Sequence, residues 1–102
     1  MKKIVIIPTF NEKENIAAII HAVIVLGNQY HVLVVDDGSP DGTASIVKEM
    51  MQAHPDKVFI QERKGKLGLG TAYIHGFKWA LDNQYDYIFE MDADFSHNPL
   101  DL

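Results

Sequence analysis

The chain has 102 residues, no cysteine, 47% apolar residues and a formal charge of −5. That is room for one domain with an ordinary core, and it excludes disulfides and thiolate metal sites. The acidic balance argues against nucleic acid as a partner, because Arg63-Lys64-Gly65-Lys66 is the one basic cluster and no basic stripe exists to neutralise phosphates.

Lys3 to Ile7 is a short β-branched run, stopped by Pro8. Its apolar part, Ile4 to Ile7, is too short for the core of a secretion signal. Asn11 can cap a helix running to about Leu26, with Glu12 and Glu14 in its first turn, where the helix dipole favours acids. The greasy stretch Ile16 to Leu26, interrupted by His21, falls short of the ~20 residues that span a bilayer, so a soluble, cytoplasmic chain is expected. Gly27-Asn28 ends this helix, and His31 to Val35 makes a second strand closed by Asp36-Asp37-Gly38-Ser39-Pro40. Asp41 then caps a helix to about Ala53, with Ala44, Val47 and Met51 on one stripe. Val58 to Gln61 reads as a third strand, and Arg63 to Gly70 as a glycine- and lysine-rich loop. Thr71 to about Asn83 is a third helix, with Tyr73, Phe77 and Leu81 at helical spacing. Tyr87 to Met91 is the fourth strand, and Asp92-Ala93-Asp94 leaves it.

Strand and helix alternate, and the strands are solid apolar runs. That combination predicts an α/β fold: a doubly wound, mainly parallel sheet with helices on both faces. Right-handed crossovers then give the strand order third, second, first, fourth, with a ligand crevice at the carboxyl ends where the winding reverses. The segments Pro8-Thr9-Phe10-Asn11-Glu12, Asp36-Asp37 and Asp92-Ala93-Asp94 are far apart in sequence and converge on that crevice.

Asp92 and Asp94 can simply end a strand and begin a turn. At the switch point, however, carboxylates one residue apart suit a hard divalent cation, which keeps several waters and completes its shell with phosphate oxygens. Asp36 and Asp37 sit in dense turn chemistry, but a turn needs only one acid. A second acid beside a nucleotide site is commonly a ribose or base acceptor, so Asp37 is the candidate and Asp36 its helper. Phe10 can staple a helix start and Glu12 can be a first-turn acid; alternatively they offer a flat face and an acceptor to a base, purine or pyrimidine. Lys64, Lys66, Gly65, Gly68 and Gly70 form either a solvated loop or a close approach to a diphosphate. Gly68-Leu69-Gly70 imitates a dinucleotide fingerprint, but Tyr73 replaces its third glycine, and no P-loop is present. His21, His31, His54, His75 and His97 share no metal-ligand spacing; His97 lies close enough to the acidic pair to touch a phosphate. Met50, Met51 and Trp79 read as core.

Four segments carry a resemblance: Ile7-Pro8-Thr9-Phe10-Asn11-Glu12, Val34 to Thr43, Lys66 to Tyr73 and Met91 to Pro99. Together they resemble the polyprenol (dolichol) phosphate mannose synthases of the inverting glycosyltransferase family 2. The resemblance implies the N-terminal, nucleotide-binding half of a GT-A fold and transfer of mannose from GDP-mannose to a polyprenyl phosphate. It also implies that Pro8, Phe10, Glu12, Val35 and Asp37 line the nucleoside pocket. Asp92, Ala93 and Asp94 would meet the diphosphate and its Mg²⁺ or Mn²⁺, with Asp92 and Asp94 as the catalytic acids. The family usually has tyrosine where Phe10 stands, so stacking is kept and a hydroxyl is lost. Some relatives use a glutamine as metal ligand where this chain has Ser96, a weaker donor.

Such synthases run to roughly twice this length, so the chain is expected to hold the donor-binding half, with the C-terminal half absent and weak or no turnover in isolation. A full-length protein would be peripheral at the cytoplasmic face of a membrane. The fourth strand, left as an edge, would invite self-association. Three alternatives stay open: another donor such as UDP-glucose, a non-catalytic nucleotide-sugar-binding fragment, and more remotely a haloacid-dehalogenase-like phosphotransferase with Asp92 as nucleophile.

Overall fold

A computed structural model of the chain describes residues 2–64 and 68–93. Strands β1 (Lys3–Thr9), β2 (Tyr30–Asp36), β3 (Val58–Glu62) and β4 (Tyr87–Glu90) alternate with helices α1 (Ile16–Ile24), α2 (Thr43–Ala53) and α3 (Leu69–Asp82). All pairings are parallel, in the order β3-β2-β1-β4, which is the doubly wound order the sequence predicts.

The pleat sorts β1 and β2 into two cores. Val5, Ile7, Val32 and Val34 face α1 and α2, where Ile16, Ile19, Ile20, Val23 and Val47 close over them. Ile4, Ile6, Leu33 and Val35 face α3. Each of these β-branched or leucine side chains is fully buried, worth about 1.5–3 kcal/mol apiece relative to exposure. This is why both central strands read as unbroken apolar runs. Met50 and Met51 pack half-buried on the first core and Trp79 on the second.

Three local expectations need correction. Pro8 does not stop β1, which continues to Thr9. The ladder from β1 to β4 ends at Ile6, whose carbonyl accepts from the Met91 amide. Thr9 turns its carbonyl the other way, to the Asp37 amide of the β2 side. Pro8 therefore aims its missing donor where no strand needs one, as an edge proline does.

Asn11 does not cap α1, and neither Glu12 nor Glu14 lies in its first turn. The helix starts at Ile16, after a turn in which the Ile16 and Asn15 amides bond the Glu12 carbonyl, and Asn11 adopts φ 56°. The reason is tertiary. The amides of Asn11, Glu12 and Lys13 donate to Ser39 Oγ, Thr43 Oγ1 and Asp41 Oδ2 of the β2–α2 loop and the start of α2, so the Lys13 amide that an Asn11 cap would serve is already claimed.

On α3 the stripe Tyr73-Phe77-Leu81 is not the buried face: Phe77 and Leu81 are exposed, as is Ile74. Ala72, Gly76 and Ala80 face the sheet instead. A Cβ on Gly76 would lie 2.7 Å from Ile6 Cγ2, so the helix sits too close to β1 for large side chains. Tyr73 and Trp79 flank this seam half-buried. Among the described residues, no helix is long and apolar enough to cross a membrane.

Candidate active site

The loops after β1, β2 and β4 leave adjacent parallel strands at the same edge. Register decides what meets there. Thr9 lies opposite Asp36, and its hydroxyl donates to Asp36 Oδ1 at 2.6 Å. The Ser39 hydroxyl donates to the same oxygen at 2.6 Å and the Ser39 amide to Oδ2 at 2.9 Å. Asn11 then donates its amide to Ser39 Oγ. Asp36 thus stitches the β1–α1 loop to the β2–α2 loop and is itself buried. One turn further, Asp41 Oδ1 accepts from the Thr43 amide and hydroxyl at the start of α2, as a capping acid does, although Gly42 formally precedes the helix. Desolvation, the largest single influence, pushes the Asp41 carboxyl up; the bonds from Thr43 and the Lys13 amide and the Lys13 charge together outweigh it and leave the carboxyl below its usual range.

Asp37 is also buried, and Arg63 clamps it. Nε reaches Oδ1 at 2.7 Å and Nη2 reaches Oδ2 at 3.0 Å, with both side chains less than a tenth exposed. The same guanidinium reaches the Thr71 hydroxyl at 3.1 Å and the Gly68 carbonyl at 3.3 Å. Gly68 has φ 105° and ψ 149°, a combination open essentially to glycine alone, and it lets the loop turn into α3 under Arg63. Adjacent buried carboxylates repel, so each needs its own partners. The sequence held that signal, but it placed Arg63 only in a basic cluster and gave Asp36 no specific task.

Of the remaining candidates, Pro8 and Val35 are buried in the edge, while Phe10 and Glu12 are half-buried in the turn after β1. Asp92 is half-buried just past β4, between buried Met91 and Ala93, and its Oδ1 accepts from the Tyr73 hydroxyl at 2.8 Å. Asp94, Ser96 and His97, like Gly65 and Lys66, lie outside the described residues. Lys64 and Gly70 are exposed. Among the described residues no three acids or histidines gather around a common point. Asp92 is nonetheless a hard oxygen donor at a polar edge, and Mg²⁺ or Mn²⁺ asks a protein for only one or two carboxylates beside phosphate and water. The donor set fits such an ion held jointly with a diphosphate.

A doubly wound sheet whose carboxyl edge is lined with hydrogen-bonded acids is the kind of scaffold that binds nucleotides. Residues 4–102 match the profile described as Glycosyl transferase family 2, and the chain belongs to that family. It is 50% identical over 101 residues to the polyprenol monophosphomannose synthase of Mycolicibacterium smegmatis, covering 99% of this chain and 38% of that one. It is 43% identical over 102 residues to the undecaprenyl-phosphate mannosyltransferase of Micrococcus luteus, covering all of this chain and 42% of that one. The chain therefore spans about two fifths of these relatives. Among solved structures it resembles the mannosyltransferase PcManGT of Pyrobaculum calidifontis, in complex with GDP-Man and Mn²⁺. That match has a TM-score of 0.77 at 28% identity, over 91% of this chain and 27% of that one. It also resembles S. aureus TarS in complex with UDP-GlcNAc, with a TM-score of 0.73 at 26% identity, over 92% of this chain and 27% of that one. The GT-A architecture implied by the sequence segments thus stands.

Proposed function

We propose that the chain is the donor- and metal-binding part of a glycosyltransferase that moves mannose from GDP-mannose to a polyprenyl phosphate. The observation that carries this is the 50% identity to a polyprenol monophosphomannose synthase along essentially the whole chain. In support, the chain's overall fold resembles that of a mannosyltransferase structure that holds GDP-Man and Mn²⁺.

In this reading Phe10 stacks on the base, and Pro8, Glu12 and Val35 complete the nucleoside pocket. Asp37 accepts from the nucleoside with lone pairs not engaged by Arg63, since each carboxylate oxygen carries two. Arg63 removes the net charge that would otherwise repel the diphosphate. Asp92 and Asp94, with the Ala93 backbone between them and Ser96 as a weaker ligand, would hold the Mg²⁺ or Mn²⁺ that accompanies the diphosphate. The ion, when bound, supplies Lewis-acid stabilisation of the departing GDP. The bond from mannose C1 to the diphosphate oxygen breaks, and an acceptor phosphate oxygen bonds C1 from the opposite face. That acceptor is largely ionised at neutral pH, because a phosphate monoester has its second pKa at about 6. No general base is required of this chain. A full-length protein would work at the cytoplasmic face of a membrane, where its lipid acceptor lies.

Titration calorimetry tests the reading. GDP should bind the chain more tightly with Mn²⁺ than with a chelator, and Asp92→Asn should remove the difference. UDP binding tighter than GDP would overturn the donor assignment. It would favour a UDP-sugar transferase, a second reading that the likeness to a UDP-GlcNAc complex supports. Nucleotide binding with no mannosyl transfer by a full-length version would leave a binding module, and no binding an inert fragment.

A further inference from the structure

We infer that Tyr73 is a positioning residue for Asp92: its hydroxyl sets the rotation of the carboxylate that meets the cation and diphosphate. The inference rests on the donor-site reading above and adds to it a residue on a different element.

The backbone around Asp92 is already held. The Met91 amide is bonded to the Ile6 carbonyl, and the side chains on either side, Met91 and Ala93, are 1% and 4% exposed. The carboxylate's own torsion also needs a constraint, because it has a broad, weakly preferred range in aspartate. Tyr73 supplies that constraint from α3, across 19 residues of chain, through a 2.8 Å bond to Oδ1. A neutral phenol donating to a carboxylate is a charge-assisted bond, stronger than a neutral pair.

The ring of Tyr73 is fixed in turn. It packs half-buried on the core between α3 and the sheet, beside Ala72, which is 1% exposed. It follows directly on the turn where Arg63 grips Gly68 and Thr71. One short helical segment therefore ties Asp37, at the nucleoside end, to Asp92, at the diphosphate end. Partners that orient a metal-binding carboxylate typically alter metal affinity by tens-fold when removed.

The test compares the unsubstituted 102-residue chain with Tyr73→Phe, which removes one oxygen and keeps the ring. Tyr87→Phe, at an exposed tyrosine at the start of β4, controls for loss of a hydroxyl elsewhere. GDP affinity is measured by calorimetry with Mn²⁺ and with chelator, and circular dichroism confirms that the fold is kept. Tyr73→Phe is expected to lower the Mn²⁺-dependent gain in GDP affinity on the order of 10-fold. Its affinity for GDP under chelator should be unchanged, and Tyr87→Phe should match the unsubstituted chain. In an Asp92→Asn background the Tyr73→Phe change should add nothing. An unaltered Mn²⁺ gain in Tyr73→Phe overturns the inference, as does an equal loss with and without metal, which marks a packing role only. Absence of any GDP binding by the unsubstituted chain overturns the donor-site reading, and this inference with it.

Discussion

Replacing Arg63 with methionine should damage this fold far more than an ordinary charge deletion. The guanidinium makes two bonds to Asp37, at 2.7 and 3.0 Å, and two more to Thr71 and Gly68. With the Asp37 side chain only 8% exposed, water cannot replace the lost partner. Breaking a buried pair by removing one member costs about 3–5 kcal/mol, because the other charge stays desolvated. A domain of this size is stable by roughly 5–15 kcal/mol, so a large share disappears. At about 4 °C per kcal/mol for roughly 100 residues, the melting temperature should fall by ~12 °C or more. Urea unfolding followed by circular dichroism gives the free energy directly, provided the slope is unchanged. The double variant Asp37→Asn/Arg63→Met removes the stranded charge and should recover most of the loss. Two results would refute this reasoning: a cost below about 1 kcal/mol for Arg63→Met, or a double variant costing the sum of the single ones.

The exposed pair Lys48–Glu62, at 3.1 Å with both side chains at least half exposed, is the contrasting case: Lys48→Met should cost less than about 1 kcal/mol in the same urea titration. Gly76→Ala gains up to ~1 kcal/mol of helix propensity but drives a Cβ against the buried Ile6 side chain, so a net loss of about 1–2 kcal/mol is expected from thermal unfolding. His31, whose Nδ1 meets the Tyr85 hydroxyl at 2.7 Å, is held below its usual pKa by burial first and by Lys2 and Lys57 second. The unfolded chain thus takes up a proton more readily; stability should fall as pH drops below about 6.5, and His31→Gln should flatten that limb of a stability–pH profile. Burial pushes Tyr85 up to about 12, so the unfolded chain loses its proton first and stability should fall between pH ~10 and 12, a limb that Tyr85→Phe removes. β4 pairs only with β1 among the described residues, and sedimentation at high concentration should show self-association; a monomer throughout would count against it.

The class of fold was legible because it rests on local signals that repeat. Unbroken apolar runs at 4–7 and 32–35 require a sheet covered on both faces, and right-handed crossovers in a doubly wound sheet then carry the strand order and the ligand edge. The acids at 36, 37 and 92 could be assigned to that edge for the same reason. Their individual tasks could not, since adjacent carboxylates look alike until register sets Thr9 opposite Asp36 and Arg63 closes on Asp37. Likewise, Asn11 and Glu12 carry the letters of a helix start, yet their amides are claimed by Ser39 and Thr43 some thirty residues away. The buried seam of α3 follows its small residues, against the pull of Phe77 and Leu81, because Gly76 meets Ile6 at closest approach. Periodicity and composition act within a few residues and specify elements. Bonds that span the chain form only once those elements are packed, and they settle which neighbouring groups become partners.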